Sequence, residues 1–119
     1  MLPNTDKPKE LLKLDTDEDL KKLKERCTDK PIVILCWAEW DETSQNLKQM
    51  MEEMPKVYQS VFVAYIDCDE SDLVDTLNVD TVQTVVILHP DGSMRKTEKI
   101  EGIKPEKLTE VVDRENAFY

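Results

Sequence analysis

Five stretches of the chain have the hydrophobic patterns expected of β-strands. Residues 31–38 (PIVILCWA) and 61–67 (VFVAYID) are almost continuously apolar and rich in β-branched residues. Such runs are typical of strands buried on both faces of a sheet. Residues 84–88 (TVVIL) have the same character, and 11–14 (LLKL) form a shorter candidate. Residues 93–100 (SMRKTEKI) are polar and charged, which indicates an edge strand.

The segment before the first long apolar run has the features of a helix. Residues 16–27 (TDEDLKKLKERC) carry Leu20 and Leu23 at helical spacing, with acidic residues first and basic residues last. That order suits the helix dipole, and Asp15 or Thr16 can cap the first turn. We therefore predict a helix from about residue 16 to residue 27.

Three more helices are predicted further along the chain. One begins near residue 41 and groups its apolar residues on one side, and Pro55 either kinks it or begins its exit. Acidic residues start a short helix that ends near Asn78. Pro105 suits the first turn of a last helix that reaches residue 116. The inner side of the second helix consists of Leu47, Met50, Met51 and Met54.

The element order β α β α β α β β α defines the fold class. Helices that alternate with buried strands, followed by a hairpin at HPDG (89–92), predict an α/β fold. Its mixed central sheet has about five strands, with helices on both faces. We see no repeat or internal linker, so we predict one domain over residues 11–115. A flexible N-terminal arm (1–10) and a C-terminal tail (116–119) flank it.

The charge of the chain limits its partners. Twenty-six acidic residues face sixteen basic ones, for a formal net charge of −10. Phosphates and anionic membranes repel such a surface, so we expect neither a nucleic-acid nor a membrane partner. No apolar run approaches the ~20 residues that span a bilayer, and the polar N-terminus does not resemble a signal peptide. A cytoplasmic location, or a nuclear one, is expected.

The cysteines and the histidine suggest no chemistry by themselves. Cys27, Cys36 and Cys68 are an odd number without paired spacing, which argues against a disulfide framework. We expect Cys36 to pack as a small hydrophobic residue in its strand. Acidic neighbours should raise the pKa of the Cys68 thiol and so lower its reactivity. His89 is expected in a turn without a catalytic neighbour.

No metal or cofactor is expected either. The single histidine and the scattered cysteines do not form a zinc motif. The acidic residues of 67–72 lack the glycine and the closing glutamate of a calcium loop. Only two glycines occur in the chain, which disfavours a glycine-rich phosphate loop.

Several motifs, taken with the element order, resemble thioredoxin over residues 11 to 114. They are the strand ending in CWAEW, the strand end VAYIDCDE, the segment NVDTVQTVVIL, the PDGS hairpin and IEGIKPEKL before the last helix. The resemblance implies the thioredoxin fold.

The resemblance also shows which chemistry is absent. In thioredoxins the second tryptophan of WAEW is followed by Cys-Gly-Pro-Cys. Here it is followed by Asp41, Glu42, Thr43 and Ser44, so the attacking cysteine aligns with Asp41 and the resolving cysteine with Ser44. Thiol–disulfide exchange requires a thiolate and a second thiol, which a carboxylate and a hydroxyl cannot replace.

Other positions of the same catalytic unit differ as well. The buried aspartate of thioredoxins aligns with Leu35, and the nearby lysine aligns with Tyr65. The family's Ile-Pro-Thr, with its cis-proline, becomes Val82-Gln83-Thr84, and we expect a trans peptide at Gln83 because cis bonds before other residues cost about 2.5–4 kcal/mol. We therefore predict that the chain is not an enzyme and needs no cofactor.

By analogy with the substrate rim of thioredoxins, the degenerate positions form a candidate binding face for protein partners. Trp40 is the expected aromatic anchor, whereas Trp37 should be more buried. The alternative is that the turn only starts a helix. The predicted face consists of Trp40, Asp41, Glu42, Thr43, Ser44, Val82, Gln83, Thr84 and Gly102.

Three function classes remain open. The degenerate turn resembles the N-terminal thioredoxin domain of multidomain monothiol glutaredoxins (PICOT-like proteins). That resemblance implies a redox-inactive docking domain, with a fused Cys-Gly-Phe-Ser glutaredoxin domain that serves iron–sulfur and iron homeostasis. Gln83 departs from that family, whose domains usually keep proline. A stand-alone adaptor, similar to spliceosomal thioredoxin-like or phosducin-like proteins, is the alternative. The third class is a residual oxidoreductase that uses Cys36 or Cys68.

Overall fold

A computed structural model describes residues 11–26, 29–90 and 96–118. The described residues form five strands and four helices, which confirms the predicted α/β class. In chain order these are β1 (Leu12–Lys13), α1 (Asp17–Arg26), β2 (Ile32–Trp37), α2 (Glu42–Val57), β3 (Phe62–Asp67), α3 (Leu73–Thr76), β4 (Thr84–His89), β5 (Lys96–Ile100) and α4 (Pro105–Phe118).

The five strands form one mixed sheet in the order β1-β3-β2-β4-β5. Strands β1, β3 and β2 run parallel, whereas β4 is antiparallel to both β2 and β5. In the longest parallel pairing, Ile32 lies opposite Phe62 and Trp37 lies opposite Asp67. The carboxyl ends of β2 and β3 therefore meet at one edge of the sheet, where the candidate site lies.

Strand β2 lies at the centre of the fold, and its position explains its unbroken apolar sequence. Ile32, Ile34 and Cys36 join one hydrophobic cluster, while Val33 and Leu35 join the cluster on the opposite face. All five side chains are buried. A strand covered on both faces has no solvent-facing position for a polar residue, so its sequence does not alternate.

The helices divide between the two faces of the sheet, as predicted. Helices α1 and α3 cover one face through Leu20, Leu23 and Leu73. Helices α2 and α4 cover the other face, with Met51 and Leu108 among their buried residues. No helix in the described part of the chain is long and apolar enough to cross a membrane.

Some predicted boundaries differ from the structure. Helix α2 continues two residues past Pro55. Helix α4 continues to Phe118, two residues beyond the predicted helix end at residue 116 and into the predicted tail. The predicted arm (1–10), Cys27, residues 91–95 of the hairpin and residue 119 lie outside the described residues.

The prediction for His89 is wrong. It ends strand β4 instead of lying in a turn, and both ring nitrogens approach carboxylates. Its Nε2 lies 3.0 Å from Glu98 Oε1, and its Nδ1 lies 3.1 Å from Oε1 of the buried Glu115. Arg114 contacts both carboxylates. The strand extends one residue beyond the predicted end because His89 pairs with Lys96 on the other strand of the hairpin.

The argument against a disulfide is also wrong for two of the three cysteines. Cys36 and Cys68 form a disulfide across the end of β2 and the residue after β3, with 5.8 Å between their Cα atoms. The chain separation of 32 residues concealed this contact. The parallel register creates it, since Cys36 lies opposite Ile66 and Cys68 is two residues further along the same face.

Helix α1 begins with a reciprocal cap. Thr16 Oγ1 accepts a hydrogen bond of 3.2 Å from the Asp19 N–H. In return, Asp19 Oδ2 accepts bonds of 2.9 and 3.2 Å from the N–H groups of Asp15 and Thr16. These backbone bonds lower the pKa of the Asp19 carboxyl, because they stabilise its ionised form.

The Asp19 cap predicts a pH-dependent change in stability. Because the folded-state pKa of Asp19 is lower than its unfolded value, its stabilisation is present above that unfolded value and is lost as pH falls through the folded pKa. Asp19→Asn should therefore lower the urea midpoint more at pH 7 than at pH 3. Glu18→Gln is the matched control, since it removes one charge from the same turn. An equal pH dependence in both variants would contradict the role of the Asp19 carboxylate.

Candidate functional site

The turn after β2 is organised by Asp41. This residue is the N-cap of α2, with extended backbone angles (φ −103°, ψ 111°). Its Oδ2 accepts a 2.8 Å hydrogen bond from the Ser44 N–H, and its carbonyl oxygen accepts one from Gln45. An aspartate that caps a helix in this way stabilises one unpaired N–H and the positive end of the helix dipole.

Ser44 connects the start of α2 to the end of β2. Its side chain is fully buried. The Ser44 Oγ accepts a bond of 3.1 Å from the Ala38 N–H and lies 3.1 Å from the carbonyl oxygens of both Ala38 and Asp41. The single hydroxyl proton can be donated to only one of these carbonyl oxygens at a time. The hydroxyl is committed to these backbone groups and is not accessible to a substrate.

The two tryptophans of WAEW have different environments, as predicted. Trp40 is 68% exposed, and its Nε1 donates a 2.9 Å hydrogen bond to Asp69 Oδ2. Trp37 is partly buried and meets the Tyr65 ring edge-on, with 6.2 Å between ring centroids. The exposed indole is therefore held in one orientation by a carboxylate from the loop after β3.

The positions that align with the proton-transfer pair of thioredoxins form a different cluster. Leu35 is fully buried in the apolar cluster under α2 and α4. Tyr65 lies under the Lys48 ammonium group, whose Nζ is 4.8 Å from the Tyr65 ring centroid and 4.9 Å from that of Trp37. Cation–π and edge-to-face contacts stabilise this group. No carboxylate stands at position 35 to move a proton.

Gln83 has the most unusual backbone of the site. The peptide bonds of the described residues are all trans, as expected at this position, but Gln83 has φ +62°. Its N–H donates to the Cys36 carbonyl at 3.2 Å, and its carbonyl accepts from the Ile103 N–H at 2.9 Å. A left-handed conformation of a residue other than glycine costs about 1–2 kcal/mol, and these two bonds help to hold it. Sequence reasoning did not foresee this conformation.

A pocket of about 430 Å³ opens beside Trp40. Its apolar surface comes from Val74, Val79 and Val82, while the exposed carboxylates of Asp69 and Asp80 flank it. The remaining lining residues are Trp40, Cys68 and Thr81. An apolar pocket with convergent polar groups at its edge is the usual form of a binding site.

The structure brings together only part of the predicted binding face. Trp40 and Val82 line the same pocket. The Gln83 carbonyl accepts a hydrogen bond from the N–H of Ile103, the residue after the exposed Gly102 (φ +64°). Thr84 is fully buried, and its Oγ1 donates to the Thr81 carbonyl at 2.8 Å. The side chains of Ser44 and Thr84 are therefore inaccessible to a partner, whereas Asp41 and Thr43 are half-buried and Glu42 is exposed.

Sequence reasoning missed the two loops that complete the pocket. Cys68 and Asp69 follow β3, and Val79, Asp80 and Thr81 precede β4. The resemblance to thioredoxin predicted that the turn and Val82 belong to the binding face, but it did not indicate these neighbours. One signal was available, because the carboxyl end of β3 must lie beside that of β2 in a parallel pair.

The described residues contain no group of three or more histidine, cysteine or acidic side chains placed to hold a metal ion. Polar side chains at the end of β3 and in the loop after it stabilise the local backbone instead. Asp67 Oδ1 accepts from the Asp69 N–H at 2.9 Å, and the buried Ser71 hydroxyl donates to the Asp15 carbonyl at 3.0 Å.

Comparisons with known proteins agree with this geometry. A model of the thioredoxin family matches residues 10–114, so the chain belongs to the thioredoxin family. No curated protein sequence matches the chain.

Solved thioredoxins share the fold at low sequence identity. The thioredoxin of Fasciola hepatica is 24% identical, with a TM-score of 0.77 over 88% of this chain and 99% of its own. A mutant thioredoxin of Halobacterium salinarum is 23% identical, with a TM-score of 0.76 over 95% of this chain and 96% of its own. Spinach chloroplast thioredoxin f is 21% identical, with a TM-score of 0.73 over 88% and 92%.

The buried position of Ser44 leads to a test of its structural role. Ser44→Ala should lower the free energy of unfolding by about 1–3 kcal/mol, because the Ala38 N–H loses its acceptor inside the protein. Thr43→Ala, one position earlier on the same helix turn, should change it by less than about 0.5 kcal/mol. Urea denaturation measures both. Equal values would show that the Ser44 hydroxyl does not hold the turn.

Proposed function

We propose that this chain is a non-catalytic protein-interaction domain of the thioredoxin family, with its binding face at the pocket beside Trp40. The observation that carries the proposal is the state of the WDETS turn. The side chains of Asp41 and Ser44 are hydrogen-bonded to backbone groups of the turn. Trp40, in contrast, remains 68% exposed. A large exposed aromatic ring at the edge of an apolar pocket is well suited to anchor a partner.

The chemistry of the pocket specifies the kind of partner segment that fits. Val74, Val79 and Val82 can receive one apolar side chain, and the Trp40 ring forms a wall beside them. Asp69 and Asp80 favour a neighbouring basic residue, in keeping with the net charge of −10. We therefore propose a protein segment with an apolar anchor followed or preceded by lysine or arginine.

The resemblance noted for the sequence supports a finer proposal. The domain would be the docking part of a monothiol glutaredoxin, in which a fused Cys-Gly-Phe-Ser domain handles iron–sulfur clusters. A stand-alone adaptor, similar to spliceosomal thioredoxin-like or phosducin-like proteins, is the second candidate. Sequencing the native transcript beyond the codon for Tyr119 separates the two. A glutaredoxin domain there supports the first candidate, and an immediate stop codon supports the second.

Trp40→Ala should reduce partner capture at least fivefold, equivalent to about 1 kcal/mol or more for an anchoring aromatic residue. Trp40→Phe separates the ring from the N–H donor that bonds to Asp69. Val57→Ala is the matched control, because Val57 is 66% exposed near the end of α2, away from the pocket. Quantitative pull-down with each variant, after denaturation curves confirm folding, measures the effect.

Equal capture by the Trp40→Ala and Val57→Ala variants would exclude the proposed face.

Insulin reduction tests the third function class, a residual oxidoreductase. We expect no sustained reduction of insulin, because neither Asp41 nor Ser44 can form a mixed disulfide and because Cys68, half-buried in the pocket, is expected to admit small disulfides but not those of a protein. Catalytic turnover that disappears in Cys36→Ser or Cys68→Ser would overturn the non-catalytic proposal.

A further inference from the structure

The carboxyl ends of β2 and β3 bring two sulfur atoms together below the pocket. Cys36 lies opposite Ile66 in the parallel register, and the Cys68 N–H donates to the Trp37 carbonyl at 2.9 Å. The Cα atoms of Cys36 and Cys68 are 5.8 Å apart, within the usual disulfide range of about 4.4–6.8 Å. The backbone therefore holds the pair at bonding distance without help from the WDETS turn.

The two cysteines differ in their access to solvent. Cys36 is 1% exposed and packs among apolar residues of the cluster under α1 and α3. Cys68 is half-buried and lines the pocket beside Trp40. A molecule that enters the pocket therefore meets Cys68, whereas Cys36 does not line the pocket.

We infer that Cys36 and Cys68 form a reversible dithiol–disulfide couple that exchanges with small-molecule disulfides and thiols through this pocket. Cys68 is the sulfur that meets the co-reactant, and Cys36 is the resolving thiol. The inference goes beyond the proposed interaction function and does not depend on it, since it requires only the pocket and the two sulfurs.

The exchange consists of two successive thiol–disulfide steps. The Cys68 thiolate attacks one sulfur of a small disulfide, breaks its S–S bond and releases one thiolate. The Cys36 thiolate then attacks the Cys68 sulfur, forms the Cys36–Cys68 bond and releases the second thiolate. The two protons of the protein thiols pass to the released thiolates. The protein loses two electrons and two protons, and the small disulfide becomes two thiols.

The charges at the pocket predict which co-reactants exchange fastest. Cys68 lines the pocket together with the exposed residues Asp69 and Asp80. Negative charge repels an anionic disulfide such as oxidised glutathione and attracts a cationic one such as cystamine. We therefore expect small cationic aminothiol disulfides to be the preferred class.

The first experiment counts thiols on the intact chain. The protein is equilibrated in buffers of defined reduced-to-oxidised dithiothreitol ratio, alkylated and weighed by mass spectrometry. Three alkylated thiols in the reduced protein should fall to one in the oxidised protein, and Cys27→Ser should show a fall from two to none. An oxidised protein that keeps all its thiols would overturn the inference, as would a disulfide that opens only when the protein unfolds.

The second experiment tests the roles of the two sulfurs. With cystamine, Cys36→Ser should trap a stable mixed disulfide on Cys68, because no resolving thiol remains. Cys68→Ser should leave Cys36 unmodified in the folded protein. Cys36→Ala provides a second variant that keeps an apolar side chain at the buried position. Equal modification of Cys36 and Cys68 in these variants would contradict the assigned roles.

The third experiment measures the rates at which cystamine and oxidised glutathione react with the reduced Cys36→Ala variant. Each rate is divided by the rate at which the same disulfide reacts with a neutral cysteine peptide. The normalised cystamine rate should be about fivefold higher at low salt, and the ratio should approach one at high salt. Asp80→Asn should reduce the ratio. A ratio of one at low salt would exclude the charge preference.

Discussion

The parallel pairing of β2 with β3 is the constraint on which the rest of this structure depends. Because the two strands run in the same direction, both chains leave the sheet at the same edge. That edge receives the helix start at Asp41 from one strand and the acidic loop with Asp69 from the other. The hydrogen bond from Trp40 to Asp69, the pocket and the cysteine pair all span this junction.

The turn after β2 keeps its role as the start of a helix although it contains no cysteine. The residues that align with the attacking and resolving cysteines still begin the helix, but their polar atoms now stabilise backbone groups. Gln83, at the proline position of the family, reaches the neighbouring segment through a trans, left-handed conformation. The scaffold tolerates these changes because the surrounding backbone bonds hold the loops independently of any thiol.

The WDETS turn carries no cysteine, but two cysteines meet nearby in a disulfide that sequence motifs do not reveal. Cys36 and Cys68 are 32 residues apart and share no motif, so their contact depends wholly on the strand register. His89 offers a parallel case at the opposite edge of the sheet, where carboxylates from β5 and α4 approach one imidazole. In both cases at least one partner, Cys68 or Glu115, comes from an element far along the chain.

The sequence by itself determined the fold class, the order of the long elements, the burial of β2 and the absence of cysteines from the WDETS turn. These follow from local patterns, since apolar periodicity and capping residues act over a few positions. Tertiary structure alone decided the pocket, the accessibility of Trp40 relative to the buried Ser44 and Thr84, the left-handed Gln83 and the Cys36–Cys68 contact. Each requires strands or loops that are far apart in the chain to meet in one register, and local propensity carries no information about that register.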